Sequence, residues 1–151
     1  MRSVEPLRDT TSFEAFFAAH HRRLVQSLAA TLGDPHLAAD AVAEELVQAH
    51  QRWRRLADGP NPAGWVYRVA LRWALRRRTR WWREFTTSTP PDTVASAPAV
   101  VDPSLASALA ALPVEQRAVV VLRHLMDWSE ADTAAALGIA SGTVKSRLSR
   151  A

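Results

Sequence analysis

Apolar side chains recur at three- and four-residue spacing along most of the chain, the period of one face of a helix. Phe13, Phe16, Phe17, Leu24, Val25 and Leu28 form a first stripe. Thr11 and Glu14, three apart just ahead of it, predict a capping box, and Gly33 is placed to end the helix. Asp34 as N-cap and Pro35 as first helical residue predict a second helix through Leu37, Ala38, Ala41, Val42, Leu46 and Ala49, running to about Leu56. The Ala57-Asp58-Gly59-Pro60-Asn61-Pro62 stretch reads as a loop. A third helix restarts near Pro62 and carries Trp65, Val66, Val69, Ala70, Trp73 and Leu75. No segment alternates at period two long enough for a strand, so the expected class is all-α.

The stretch 85–102 is rich in Thr, Ser, Pro and Ala, and Pro90, Pro91 and Pro98 interrupt any helix there. It has too few large apolar residues for a core and reads as a flexible linker. The expected organisation is two separately folded helical units, 11–84 and 103–151. In the second, Asp102 and Pro103 open one helix, which ends before Pro113, and Pro113 opens the next, through Val119, Val120, Leu122 and Leu125. Ser129 caps a short helix over Glu130 to Leu137, with Asp132 completing a second capping box. Gly138 turns the chain, and Ser141 caps a last helix over Gly142 to Ala151.

Ser129 to Ala151 therefore has the plan of a helix-turn-helix. Ala134, Ala135 and Leu137 are expected to bury one side of the first helix, Ile139 to plug the turn, and Val144 and Leu148 to face inward from the second. Ser141, Thr143, Lys145, Ser146, Arg147 and Arg150 then lie on or beside the outer face. Hydroxyl and cationic groups of this type read base edges and phosphates. A plain helical hairpin with a solvated basic face is the blander alternative, but it does not require turn, caps and outward cations to agree.

Charge sharpens the picture. The net charge is +4 and nearly all of the cation is arginine, Lys145 being the sole lysine. Arg52, Arg54, Arg55, Arg68, Arg72, Arg76, Arg77, Arg78, Arg80 and Arg83 crowd one stretch, with Asp58 its only acid and Trp53, Trp65, Trp73, Trp81 and Trp82 among them. Arg68, Arg72 and Arg76 recur every four residues, so they form one basic ridge on a helix. Such a ridge suits a polyanion backbone, and nearby rings can stack on unpaired bases. The competing reading makes Trp65 and Trp73 core residues and the arginines beyond Arg76 a solvated helix end. There is no cysteine, which excludes disulfides and thiol chemistry, and the five histidines show no metal-ligand spacing. No cofactor is expected. Without an apolar leader or a long apolar run, a cytoplasmic location is the expectation.

Both halves resemble the sigma-70 superfamily, in particular the compact group IV, or extracytoplasmic-function (ECF), bacterial sigma factors that keep only regions 2 and 4. Leu112-Pro113 followed by Glu115-Gln116-Arg117, then Asp127-Trp128-Ser129-Glu130-Ala131 and Gly142-Thr143-Val144-Lys145-Ser146-Arg147-Leu148, looks like region 4. Gly33-Asp34 with Ala39-Asp40-Ala41-Val42-Ala43-Glu44, and Trp65-Val66-Tyr67-Arg68-Val69-Ala70, look like region 2.

The resemblance implies a factor that binds core RNA polymerase, directs it to promoters and helps open the DNA, itself no enzyme. By that resemblance Asp40, Glu44 and Gln48 dock on the polymerase β′ coiled coil. The Asp58 to Asn61 loop receives a flipped base of the −10 element, with Trp65, Arg68, Arg72 and Arg76 along the displaced strand. The last helix reads the −35 element, and region 4 meets the β flap. Many members are held inactive by an anti-sigma factor, a possible partner on which these residues are silent. Three departures from the family pattern stand out: Ala43 in place of a common Gln, Arg72 in place of a common Asn, and a recognition helix that stops at Ala151, as in a truncated region 4. The rival functions are a stand-alone operator-binding regulator and, further off, a nuclease, for which Asp40, Glu44 and Glu45 offer no second carboxylate-bearing element.

Overall fold

The computed structural model describes residues 6–84 and 102–151, with side chains over 13–80 and 102–151. The predicted linker, Trp81, Trp82 and Arg83 as side chains, and the Thr11 side chain fall outside these described residues. Among the described residues eight α-helices follow one another: α1 (Pro6–Leu32), α2 (Pro35–Gln51), α3 (Trp53–Ala57), α4 (Pro62–Glu84), α5 (Pro103–Ala110), α6 (Val114–Val120), α7 (Glu130–Leu137) and α8 (Ser141–Arg150). A π-helical turn, Val121–Leu125, continues α6. No strand occurs among the described residues.

Helix α1 starts at Pro6, so Thr11 lies inside it and the capping box predicted there does not mark its start. Its end is as expected: Gly33 takes φ 68°, a left-handed value that only glycine adopts at little cost. Asp34 Oδ1 then accepts from the Leu37 amide at 3.0 Å, and Pro35 supplies the first turn of α2. α2 stops at Gln51 instead of running to Leu56. The chain pivots at Arg52 (φ −108°, ψ 16°) before the short α3. The pivot sets Trp53 against Phe13 and Phe16, with ring centroids 5.3 and 4.9 Å away. A straight α2 follows the helical period of the sequence but lacks this aromatic contact, which the bend supplies.

α1, α2 and α4 pack around Leu24, Leu28, Val42, Val66 and Tyr67, all at 0% exposure. Each fully buried aliphatic side chain of this kind contributes about 1.5–3 kcal/mol. Phe17, placed on the same stripe by spacing, is instead exposed. Glu45 is buried on the inner face of α2; burial and the neighbouring Glu44 raise its pKa, while Arg52 and Arg76 oppose the shift.

In the second half, Asp102 Oδ1 caps α5 through the Ser104 amide at 2.8 Å. Val119, Ala134 and Val144 form a small core with Leu137, Ile139 and Leu148 around it. Ala135 does not join them: it is exposed, and Thr133 and Ala136 are buried in addition to Ala134. Ser129 Oγ accepts from the Asp132 amide at 3.0 Å, so that half of the predicted box forms. Ser141 is not a cap. Ala140 holds the extended N-cap conformation (φ −72°, ψ 149°), and Ser141 is already the first residue of α8.

The two helical regions pack against each other. Leu122, Met126 and Ala136 belong to the same core as Leu24, Val42 and Val66. α7 lies against α4, and α6 with its π turn lies against α1. The π turn carries the Met126 amide to the Val121 carbonyl at 3.1 Å, one residue longer than an α-helical bond. Leu122 and Met126 are the side chains it contributes to the shared core.

Candidate nucleic-acid interface

The α4 ridge begins at its own cap. Asn61 Oδ1 accepts from the Gly64 amide at 2.9 Å, so this side chain starts the helix, a role the sequence reading missed although Asn before Pro62 is a typical start signal. Asp58, three residues earlier, is exposed at the end of α3. Asn61, Trp65, Arg68 and Arg55 line one cleft, closed on its far side by Ala135 and Ala136 of α7. Trp65 is half-buried there, neither fully core nor free.

Further along α4, Arg72 and Arg76 are exposed, whereas Arg68 is half-buried. The Arg68 guanidinium lies so close to Gly138 that a Cβ there would stand 2.8 Å from Nη2. Arg68 Nε is buried with no hydrogen-bond partner. The ridge predicted from spacing is thus real as a helix face, but its first arginine sits beneath the second half of the chain. Trp73 is half-buried, with the Arg77 guanidinium over its ring at 5.0 Å.

On the helix-turn-helix, Gly138 (φ 66°) makes the turn and Val144 is the fully buried anchor of α8. Ser141, Lys145, Ser146 and Arg150 are exposed, and Thr143 and Arg147 are half-buried. On α2, Asp40 and Glu44 are exposed and line a shallow groove with Ala43, Val47, Trp73 and Arg77; Gln48, one turn on, is half-buried and outside it. Val47, 56% exposed, went unnoticed in the sequence because its spacing falls off the buried stripe. Among the described residues no three His, Asp or Glu side chains gather as metal ligands, and no helix is long and apolar enough to cross a membrane.

Comparison with known proteins decides what this arrangement belongs to. Residues 16–84 match the family described as Sigma-70 region 2, and residues 104–151 match Sigma-70, region 4. An RNA polymerase sigma-E factor of Streptomyces avermitilis is 35% identical over 157 aligned residues, covering 95% of this chain and 82% of the relative. The chain belongs to the sigma-70 family, in its ECF class. The ECF sigma factor SigM of Mycobacterium tuberculosis is also 35% identical, across 95% of this chain and 74% of that protein. The sigma factor RpoE of Bartonella quintana, solved with the anti-sigma factor NepR, has the same fold: TM-score 0.76, 23% identity, 92% of this chain and 91% of that one covered.

As an ECF sigma factor the chain binds core RNA polymerase, directs it to specific promoters and promotes DNA opening for initiation. A stand-alone operator-binding regulator accounts for the helix-turn-helix but not for the region 2 match, which covers α2, α3 and α4 and most of α1.

Proposed function

We propose that the functional labour is divided between 11–84, which binds polymerase and the −10 element, and 103–151, which binds the −35 element. The observation that carries this reading is the α4 face, where Asn61, Trp65 and Arg68 surround a cleft and Arg72 and Arg76 continue outward as exposed cations. An unpaired base fits against the Trp65 ring in that cleft, with phosphates following the arginines. Asp58, exposed one residue before the Gly59 that lines the cleft, accepts hydrogen bonds from an exocyclic amino group. Ser141, Thr143, Lys145, Ser146, Arg147 and Arg150 contact the −35 duplex. Asp40, Glu44 and Gln48, with the groove at Val47 and Trp73, receive the β′ coiled coil.

In this mechanism the chain makes and breaks no bonds. Capture of unpaired non-template bases stabilises the open complex relative to the closed one, shifting a population instead of consuming a nucleotide. Working with the polymerase puts the chain in the cytoplasm. An anti-sigma factor, the kind of partner seen with the Bartonella protein, is a fitting inhibitor for this chain as well.

The test is permanganate footprinting of unpaired thymines on a promoter library with core polymerase. The pair Arg72→Gln and Arg76→Gln should lower open-complex formation by at least tenfold while leaving polymerase affinity within about twofold, tenfold being about 1.4 kcal/mol. Equal losses in both would contradict the assignment of this face.

A further inference from the structure

The groove between α2 and α4 has two walls of different chemistry. On α2, Asp40 and Glu44 are one helical turn apart, and so are Ala43 and Val47, so the two pairs run side by side along one strip. All four residues are exposed, and Val47 keeps 56% of its surface open. On α4, Trp73 and Arg77, again one turn apart, make the opposite wall. The Arg77 guanidinium lies over the Trp73 ring, 5.0 Å from its centroid.

The packing beneath explains why these residues line it. α2 and α4 lie against each other, with Ala38, Ala41, Ala70 and Ala74 fully buried in their shared core. Ala43 follows the buried Val42, and Trp73 precedes the buried Ala74, so each sits just outside the sealed contact. At Ala43 the side chain ends at Cβ and the strip stays open. A glutamine there, the common residue of the family pattern, carries its amide over that strip. The arginine over Trp73 takes one ring face away from base stacking. Arg72 and Arg76, the exposed cations of the ridge, do not line the groove. Trp73 therefore belongs with α2 and not with the DNA-facing ridge.

We infer that Ala43 is a specificity-determining residue for polymerase docking: the groove it leaves open admits one large aliphatic side chain of the polymerase, which lies on Ala43, Val47 and Trp73 while a basic neighbour pairs with Asp40 and Glu44. The inference rests on the assignment of the outer face of α2 to the polymerase. Its chemistry follows from the strip, which has apolar surface along its middle and two carboxylates beside it. An aliphatic side chain removes the Ala43 and Val47 surface from water. The carboxylates select a cationic neighbour and repel an acidic one. A partner helix supplies both groups from adjacent turns. The consequence runs against the family pattern: the common glutamine, placed at position 43 of this chain, fills the groove and weakens docking.

The test measures the affinity of the full, end-labelled chain for core RNA polymerase by fluorescence anisotropy, with circular dichroism to confirm equal helix content. Ala43→Ser keeps the groove open and should bind within about twofold of the native chain. Ala43→Gln and Ala43→Leu fill it and should each bind more weakly by about tenfold or more, the worth of one excluded aliphatic side chain. At saturating Ala43→Gln the permanganate footprint of the open complex should match the native one, because the −10 surface is untouched. Asp40→Lys combined with Glu44→Lys reports the docking assignment itself and should abolish binding. If that charge reversal acts but Ala43→Gln or Ala43→Leu binds as tightly as the native chain, or more tightly, the groove inference fails and the docking assignment stands. A footprint that stays weak at saturation would put the groove on the DNA side and overturn the inference as well. Polymerase affinity unchanged by the charge reversal would overturn both.

Discussion

The Tyr67 hydroxyl meets Thr31 Oγ1 at 2.7 Å where both side chains are completely buried, tying α4 to α1. Thr31 has one hydroxyl proton, and it goes to the Ser27 carbonyl at 3.0 Å, so Tyr67 is the donor. Tyr67→Phe removes the donor and should cost about 0.5–1.5 kcal/mol; Thr31→Val strands the phenol and should cost about 1–3 kcal/mol. In urea unfolding the double variant should lose less than the sum of the two, because they share one interaction.

Burial also raises the Tyr67 pKa well above the ordinary phenol range. The unfolded chain therefore releases that proton first as pH rises, and the stability it contributes, complete below about pH 10, is lost above it. Tyr67 is the one tyrosine of the chain, so tyrosinate absorbance reads it alone. The absorbance should rise only together with unfolding; a rise while helical circular dichroism is intact would refute the burial argument.

Glu45 makes a prediction of opposite practical sense. Its pKa is raised, so the folded state holds the proton more tightly than the unfolded state, and ionisation at neutral pH weakens the fold. Glu45→Gln should raise the urea midpoint at pH 7, and the gain should fade as pH drops below the usual glutamate range of about 4.3. An unchanged midpoint at neutral pH would mean that Arg52 and Arg76 already compensate the buried charge.

Gly138 combines a left-handed backbone with close contact to Arg68. Gly138→Ala should lower stability by about 1–2 kcal/mol from the backbone alone. The arginine end can swing away from the new methyl, so thermal unfolding should show a shifted midpoint and not a misfolded chain.

On α8, Lys145→Ala and Arg150→Ala should each weaken duplex binding and reduce the salt-dependence slope by about one. Val144→Ala, in contrast, should cost stability through a core cavity, about 0.5–3 kcal/mol, and leave that slope unchanged in the folded fraction. Titrations of holoenzyme against a −35 duplex at several salt concentrations separate the two effects.

Local chemistry carried most of the helical order into view before any coordinates. Gly33, Asp34 with Pro35, Asp102 with Pro103, Ser129 and Gly138 act on their nearest neighbours, so their consequences can be read from spacing alone. The outward cations of α8 follow from the position of Val144 by the same helical geometry. The misreadings have long-range causes. Trp53 bends the chain at Arg52 because Phe13 and Phe16 lie across the bundle. Ala135 is exposed and Ala136 buried because region 2 lies on that side of α7, information no window around the residue contains.

The sequence by itself determined an all-helical chain, its turns and caps, its arginine ridge and the motifs of regions 2 and 4, because these depend on residues a few positions apart. Only the tertiary structure decided which arginines of the ridge are free. Arg72 and Arg76 project outward, while Arg68 lies beneath Gly138, a residue 70 positions later in the numbering. Likewise Arg117 finds the Thr31 carbonyl across a separation of 86 residues. A helix face is set by its own period, but its cover is set by whichever distant apolar surface finds the lowest free energy against it, and that contact exists only once the chain has closed.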